Sequence, residues 1–169
     1  FRRKKLSVPK VVDDPTFLRR SFLVAAGRIP TLEEASSFLE IEDPAKREML
    51  TQYLLQSDGY RSHMQNYVFD LLRAKDNNRN GAEAYAAPYM HFVQQSVAKN
   101  TPWDQFAHSL VSAKGIAWED GNGAVGYYIR DKGMPLDNLA LTMQIFTGER
   151  LECAQCHDSP TNKWERMDF

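Results

Sequence analysis

The stretch SHMQNYVFDLLR, residues 62–73, indicates the fold class because its apolar side chains recur at helical spacing. Positions i, i+3, i+4, i+7 and i+8 share one face of an α-helix, and here they are Met64, Tyr67, Val68, Leu71 and Leu72. We expect this face to lie in the core. No stretch alternates apolar and polar residues convincingly over the length of a strand, and no internal repeat is present. The sequence therefore predicts an all-α fold, an irregular helical bundle.

Helix-capping residues divide the first third of the chain into three expected helices. Asp14, Thr31 and Asp43 each stand where a side chain can cap a helix start, and a proline follows both aspartates at the first helical position. Glu34 comes three residues after Thr31, which is the spacing of a capping box. Gly27 is expected to end the first helix.

Three further helices are expected in the second half. One follows from Met90, Val93 and Val97 at helical spacing. The next begins after Thr101 as cap, ends at Gly115, and is expected to turn Trp103, Phe106, Ala107, Leu110 and Val111 inward. The last begins at Pro135, with an apolar stripe of Leu136, Leu139, Ala140, Met143, and Phe146 or Thr147. Residues 76–84 and the Gly-rich 120s are expected to be loops.

Length and charge limit the class of protein. With 169 residues the chain can bury a core without disulfide bonds, and we expect a single domain over residues 1–169. The 21 Lys and Arg residues nearly balance the 22 Asp and Glu residues, so the net charge of -1 does not favour nucleic acid as a partner. The basic start, residues 2–5, is typical of a solvated terminus. No segment approaches the ~20 apolar residues that a transmembrane helix needs. Because NKWERMDF ends within an apparently helical stretch, we expect a fragment of a longer protein.

The stretch LECAQCHDSP, residues 151–160, contains both cysteines of the chain. Two residues separate Cys153 from Cys156, and His157 follows directly, which is the spacing of a c-type haem attachment site. Such a site needs two thiols to add to the vinyl groups and an imidazole that reaches the iron from the same side. We therefore expect one covalent haem c, with Cys153 and Cys156 as its attachment points and His157 as the proximal iron ligand.

Three other interpretations of these cysteines stay open. A structural zinc site normally takes four ligands, and the sequence has no second pair of cysteines or histidines at short spacing. A thioredoxin-like redox motif belongs at a helix start after a strand, and no such strand is predicted. A simple disulfide or two unreactive thiols would leave the domain without a cofactor.

The second axial ligand is not determined by the sequence. We favour Met134, which lies in an expected loop away from the apolar helix stripes and close in sequence to the cysteines. The alternatives are His63, His91, His108, a Met167 that wraps around the haem edge, or no ligand at all. Other methionines lie on apolar stripes and are expected to fill the core: Met49, Met64, Met90 and Met143. Helices near residues 64–72, 103–111 and 136–147 are expected to wall the haem, with Trp103, Trp118 and Trp164 as candidates for that wall.

One apparent cofactor motif is set aside. The stretch GNGAVG, residues 121–126, matches the dinucleotide-binding pattern G-x-G-x-x-G. No strand precedes it, and a lone match of this kind is weak evidence, so we interpret it as a flexible turn. No motif of a hydrolase is present either.

The chain resembles the cytochrome c-like domain family of planctomycete and verrucomicrobial secreted proteins. The likeness is carried by DPTFLRRSFLVAAGRIPTLEEASSFL at residues 14–39, by SDGYRSHMQNYVFDLLR at residues 57–73 with Tyr60, Asp70 and Arg73, by TPWDQFAHSLVSAKG at residues 101–115, and by the stretch that contains Cys153, Cys156, His157 and Trp164. The resemblance implies an all-helical domain of an exported protein that carries an additional domain. The family often has Cys-His-x-His-Pro-Phe, whereas Ser159 and Thr161 occupy the places of the second histidine and the aromatic residue here.

These observations predict a c-type haem domain that serves electron transfer in a periplasmic or otherwise exported protein, with a redox partner protein. Two alternatives stay open. The haem domain can serve a periplasmic enzyme complex, as a relay or an open-iron catalyst, or the chain can be a haem-free helical interaction domain. An electron carrier is the function we favour over a catalyst.

Overall fold

The structure is a computed structural model and describes residues 9–74, 83–131 and 133–168. Within these ranges all regular secondary structure is helical, and no strand is present. The α-helices are α1 (Asp14–Ala26), α2 (Leu32–Glu40), α3 (Lys46–Gln56), α4 (Asp58–Leu71), α5 (Glu83–Ala98), α6 (Trp103–Val111), α7 (Gly126–Ile129) and α8 (Pro135–Thr147). Short 3₁₀ turns cover Gly123–Val125, Glu152–Gln155 and Arg166–Asp168. The predicted all-α class is confirmed.

Two compact units divide the chain, Phe1–Met64 and Gln65–Phe169. The boundary falls within α4, and the prediction of a single domain over residues 1–169 stays a prediction. The basic start at residues 2–5 lies outside the described residues, as does the expected loop from residue 76 to residue 82. For residues 83 and 84 the loop prediction is wrong, since they form the start of α5. In the described part of the chain, no helix combines the length and the apolar character needed to cross a membrane.

The first unit buries a small core from α1, α2 and α3. Its buried side chains are Leu18, Phe22, Phe38 and Leu54. The start of α1 differs from the prediction, because Asp13 rather than Asp14 caps the helix and accepts a hydrogen bond from the Thr16 amide at 2.9 Å. Asp14 instead forms ion pairs with Lys46 at 2.8 Å and Arg47 at 2.6 Å, which connect α1 to α3. These partners, Lys46 first, hold the pKa of Asp14 below its usual value.

The start of α2 forms the predicted capping box. The Glu34 amide donates to Thr31 Oγ1 at 3.2 Å, and the Thr31 amide donates to Glu34 Oε2 at 2.7 Å. Arg28 adds two hydrogen bonds to the Glu34 carboxylate, at 2.8 and 2.7 Å. The Arg28 guanidinium lowers the pKa of Glu34 from 4.5 to about 2, because it stabilises the charged carboxylate. The expected cap Asp43 accepts from the Ala45 amide at 2.7 Å, although α3 itself begins at Lys46.

The second unit has a larger core. Its buried side chains are Val68, Leu72, Tyr89, Val93, Phe106, Leu110 and Tyr127. The predicted face of α4 is right for Val68 and Leu72, but Tyr67 is 58% exposed and does not belong to the core. The prediction that Met49 fills the core is also wrong, because its side chain is exposed in the first unit. Trp103 and Val111 of α6 are half-exposed, and Pro102 rather than Thr101 occupies the helix-capping position, without a side-chain hydrogen bond.

A buried polar cluster orients α8. Asn138 donates to the Tyr127 carbonyl and to Asp131 Oδ2, both at 2.9 Å. Asp131 also forms an ion pair with Arg130 at 3.0 Å, and the Arg130 side chain is only 4% exposed. Because Asn138 must face these partners, α8 buries Asn138, Ala140 and Leu141, and it leaves Leu136 and Leu139 exposed. The predicted apolar stripe of α8 is therefore wrong at its first two positions.

The Gly-rich 120s are not a flexible turn. Gly123 begins a 3₁₀ turn that leads directly into α7, and it is fully packed against α5. A Cβ atom at Gly123 would lie 2.2 Å from the Pro88 carbonyl oxygen and 3.0 Å from Phe92 Cβ. The glycine is needed because the two backbones approach each other too closely for any side chain.

Candidate functional site

The two cysteines lie in a short turn that follows α8. Gly148, with a φ of 77°, ends α8 in the left-handed conformation, and the chain enters the 3₁₀ turn Glu152–Gln155 four residues later. Leu151 and Ala154 are buried and attach this turn to the second unit. Their burial fixes which side of the turn faces outward.

The outward side of the turn presents the whole Cys-x-x-Cys-His motif. Cys153, Cys156 and His157 are all exposed, and both thiols are free. The amides of Cys156 and His157 donate to the Cys153 carbonyl, at 3.3 and 3.2 Å. These bonds keep the three residues within one helical turn, where positions i, i+3 and i+4 share a face. All three side chains are therefore accessible to solvent within one short turn of the backbone.

The imidazole of His157 is held through one of its nitrogens. Nδ1 lies 2.7 Å from the carbonyl oxygen of Asp158, so it acts as the donor and Nε2 carries the free lone pair. Histidines that bind a metal usually donate their other ring N–H to a carbonyl or carboxylate in this way, which fixes the tautomer. The arrangement leaves Nε2 as the nitrogen that can coordinate a metal.

Four hydrogen bonds close the loop that contains the motif. The Ser159 amide donates to the Trp164 carbonyl at 2.8 Å, and Trp164 Nε1 donates to Glu149 Oε2 at 3.1 Å. The remaining two join Asn162 Nδ2 to the Arg150 carbonyl at 2.8 Å and the Arg166 amide to Asp158 Oδ1 at 2.9 Å. Segments on both sides of the motif are therefore connected, which restricts the movement of His157.

Met134 is the residue directly before α8. Gln155 Nε2 donates to Asp137 Oδ1 at 3.2 Å, which joins the turn to the first turn of α8. Met134 is the residue before α8, three positions ahead of Asp137, and its side chain is 55% exposed. It is therefore free of the core, as the sequence predicted, and it stands at the end of α8 that contacts the turn.

The other candidate ligands belong to other parts of the chain. His63 belongs to the first unit, where its ring covers Gly27. His91 borders a separate cleft beside α5, and exposed His108 has Nδ1 3.4 Å from Ser112 Oγ. Met167 is almost fully exposed in the last 3₁₀ turn. Within residues 9–74, 83–131 and 133–168, no three His, Cys, Asp or Glu side chains converge as the ligands of an ion do.

The three tryptophans occupy different surroundings. Trp103 packs on Phe106 and Phe146, with ring centroids 5.5 and 5.3 Å apart. Trp164 closes the loop of the motif, and Trp118 is 62% exposed at a cleft of its own. Their proposed role in a haem wall stays a prediction.

Sequence reasoning missed the groups that position the motif. Asp137, Glu149 and Asn162 reach the motif loop through hydrogen bonds, and each comes from 12 or more residues away from its partner. Single polar residues at such separations carry no local pattern that would reveal the contact.

Fold and site together define an all-helical protein with an accessible Cys-x-x-Cys-His turn. The chain belongs to a family found in planctomycete-type proteins, described as "PSCyt2: Protein of unknown function (DUF1549)", whose model matches residues 1–169. That description assigns no activity or cofactor to the family. No curated protein and no solved structure matches the chain.

Proposed function

We propose that the chain is a c-type haem domain that serves electron transfer, with the haem attached through Cys153 and Cys156. One observation carries the proposal. The two free thiols and an imidazole whose Nδ1 is already occupied are all exposed within one short turn. This donor set fits a haem better than an ion, since the haem takes two peripheral thioether bonds and a single imidazole from the turn.

The residues of the turn would have different roles in holding such a group. Leu151 and Ala154 anchor the backbone in the core, so the cysteines are directed outward. The Asp158 carbonyl keeps His157 in the tautomer that presents Nε2. Bound at this place, a haem supplies one-electron redox chemistry.

We propose that Met134 would be the second residue that holds the iron. Its thioether is exposed, flexible and attached to the start of α8, which contacts the motif turn through the Asp137–Gln155 hydrogen bond. A thioether ligand raises the reduction potential of a haem, which suits a relay. The enzyme-complex alternative requires instead that the iron keep an open position.

The compartment and the partners follow from the same proposal. Thioether attachment of haem takes place outside the cytoplasm, so the protein would be periplasmic or otherwise exported. Its partners would be a redox protein and an additional domain of a longer chain. The balanced charge of the chain supports no nucleic-acid partner.

Absorption spectra test the proposal and its alternatives. The chain is produced in cells competent for cytochrome maturation, denatured, and stained for haem after electrophoresis. We expect a haem that survives denaturation, a low-spin spectrum with a methionine–iron charge-transfer band, and loss of that band in Met134→Ala. A high-spin spectrum would support the open-iron alternative, and protein without bound haem would support the haem-free interaction domain.

Histidine variants separate ligation from attachment. In His157→Ala the thiols remain, so we expect altered ligation, seen as a high-spin spectrum or a reduced haem content. The matched control is His108→Ala, an exposed histidine of the same unit, which should leave the spectrum unchanged. Equal spectra for both variants would contradict the role of His157 as proximal ligand.

A further inference from the structure

A cleft lies in the Gln65–Phe169 unit, between α5 and the segment that follows α6. Its volume is about 470 Å³, and its chemistry is set by His91 and Phe92 on one side and by Trp118, Glu119 and Asp120 on the other. No residue of the Cys-x-x-Cys-His turn borders it. The cleft is therefore independent of the haem proposal.

The outer wall of this cleft is built rigidly. Gly123 lies so close to α5 that even a Cβ atom would overlap the Pro88 carbonyl oxygen. The Asn122 amide donates to the Glu119 carbonyl at 3.0 Å, and the Glu119 amide donates to the Ile116 carbonyl at 3.1 Å. The wall thus holds its shape before any ligand arrives, which lowers the entropy that binding would cost.

Charge and aromatic surface select the ligand. Glu119 and Asp120 both line the cleft, and in the described part of the chain neither forms an ion pair and no Lys or Arg borders the cleft. Next to them, Trp118 exposes 62% of its surface to solvent. An aromatic face beside unpaired carboxylates attracts a cation that is partly apolar, because the ring quadrupole and the carboxylates act on it in the same direction. An inorganic anion or a carboxylate ligand is repelled by the same groups.

We propose that this cleft binds an organic ammonium group, with the cation over the Trp118 ring and its charge matched by Glu119 and Asp120. Phe92 supplies apolar surface on the opposite wall. The ammonium group can belong to a small free amine or to a lysine side chain of another protein, since both present the same chemistry to the site.

Titration calorimetry at low salt tests the cleft with defined probes. Choline represents the free cation, a short lysine-containing peptide represents a protein side chain, and 3,3-dimethylbutanol is the neutral analogue of choline with the same shape. We expect choline to bind with a Kd of about 1 mM and the neutral alcohol to bind at least about tenfold more weakly. Tighter binding of the peptide than of choline would identify a protein lysine as the source, and the reverse would identify a free amine.

Variants locate the binding to the cleft. Trp118→Ala and the pair Glu119→Gln with Asp120→Asn should each weaken choline binding by about tenfold, while Asp104→Asn, an exposed carboxylate of α6 outside the cleft, should not change it. Far-UV circular dichroism checks that each variant is folded. The proposal is wrong if choline does not saturate the folded protein, if the neutral alcohol binds as well as choline, or if Trp118→Ala binds choline like the parent.

Discussion

The structure makes a definite prediction for the stability of the Gly123→Ala variant. The substitution has a stabilising entropic contribution and a destabilising packing contribution, and the packing contribution is the larger one. At a backbone conformation that alanine can adopt, exchanging Gly for Ala stabilises a protein by about 0.4–1 kcal/mol, since the unfolded chain loses conformational freedom. The new Cβ of Gly123→Ala would lie 2.2 Å from the Pro88 oxygen and 2.8 Å from the Pro88 carbonyl carbon. Both are backbone atoms of α5, so no side-chain rotation can relieve the overlap.

The packing contribution decides the outcome. Ordinary contact begins at 3.4 Å, so the 3₁₀ turn and α5 must separate by about 1 Å to admit the methyl group. Overpacking of a well-packed site costs roughly 1–3 kcal/mol, and rigid backbone on both sides places this case at the upper end. After subtraction of the entropic gain, we expect Gly123→Ala to lower the free energy of unfolding by about 2 kcal/mol.

Urea denaturation followed by tryptophan fluorescence measures this difference, because all three tryptophans belong to the Gln65–Phe169 unit. With a slope of about 2 kcal/mol/M, the midpoint should fall by about 1 M. Gly59→Ala is the control, since its nearest non-neighbouring atom is a side-chain methyl at 3.2 Å, and its stability by circular dichroism should stay within about 1 kcal/mol of the parent. A Gly123→Ala variant as stable as the parent would refute the close approach of the 3₁₀ turn to α5.

Three further substitutions test other parts of the structure. Because Arg28 lowers the pKa of Glu34 from its ordinary value of 4.5 to about 2 in the folded state, the contribution of Glu34 to stability is present above pH 4.5 and is lost as the pH falls towards 2. Glu34→Gln should remove that part of the acid sensitivity. At pH 7 the substitution should lower the free energy of unfolding by only about 1 kcal/mol, because Arg28 is half-exposed. Thermal unfolding from pH 2 to pH 7 measures both effects. Arg130→Met should lower the free energy of unfolding in urea by about 3 kcal/mol, because it leaves the Asp131 carboxylate, which is only 12% exposed, without its cation. An unchanged midpoint would contradict the contribution of this ion pair. Trp164→Phe removes the indole hydrogen bond that closes the motif loop. It should therefore lower the free energy of unfolding by about 1 kcal/mol and speed hydrogen exchange in the Cys-x-x-Cys-His turn. Identical exchange would show that other contacts hold the loop.

The parts of the fold that depend on neighbouring residues were predictable from the sequence. The Thr31–Glu34 capping box, the end of α1 at Gly27 and the buried face of α4 at Val68 and Leu72 all follow from spacing of four residues or fewer. These features are local because a helix satisfies its own backbone within one turn.

The errors arise where contacts between distant residues decide the structure. The orientation of α8 depends on Asn138, a polar residue on the buried face, whose partners Asp131 and Tyr127 lie outside the helix. Apolar periodicity cannot detect such a residue. The packing of Gly123 on Pro88 joins positions 35 residues apart, so the stretch resembled a flexible turn.

The candidate site divides in the same way. The residue types and spacing of Cys153, Cys156 and His157 are visible in the sequence, and the helical turn follows from that spacing. What the sequence does not show is that Leu151 and Ala154 turn the motif outward and that Asp158 holds the imidazole. These details depend on how the turn that follows α8 packs against the rest of the second unit.

Covalent attachment of haem at the turn is the central claim, and the mass of one peptide tests it most directly. Trypsin cleaves after Arg150 and Lys163, so residues 151–163 form a peptide that contains both cysteines and His157. From protein made in cells with active cytochrome maturation, we predict this peptide at its sequence mass plus one haem, and without the addition when both cysteines are replaced by alanine. A peptide from the parent chain with free thiols, or with Cys153 and Cys156 joined as a disulfide, would contradict the account.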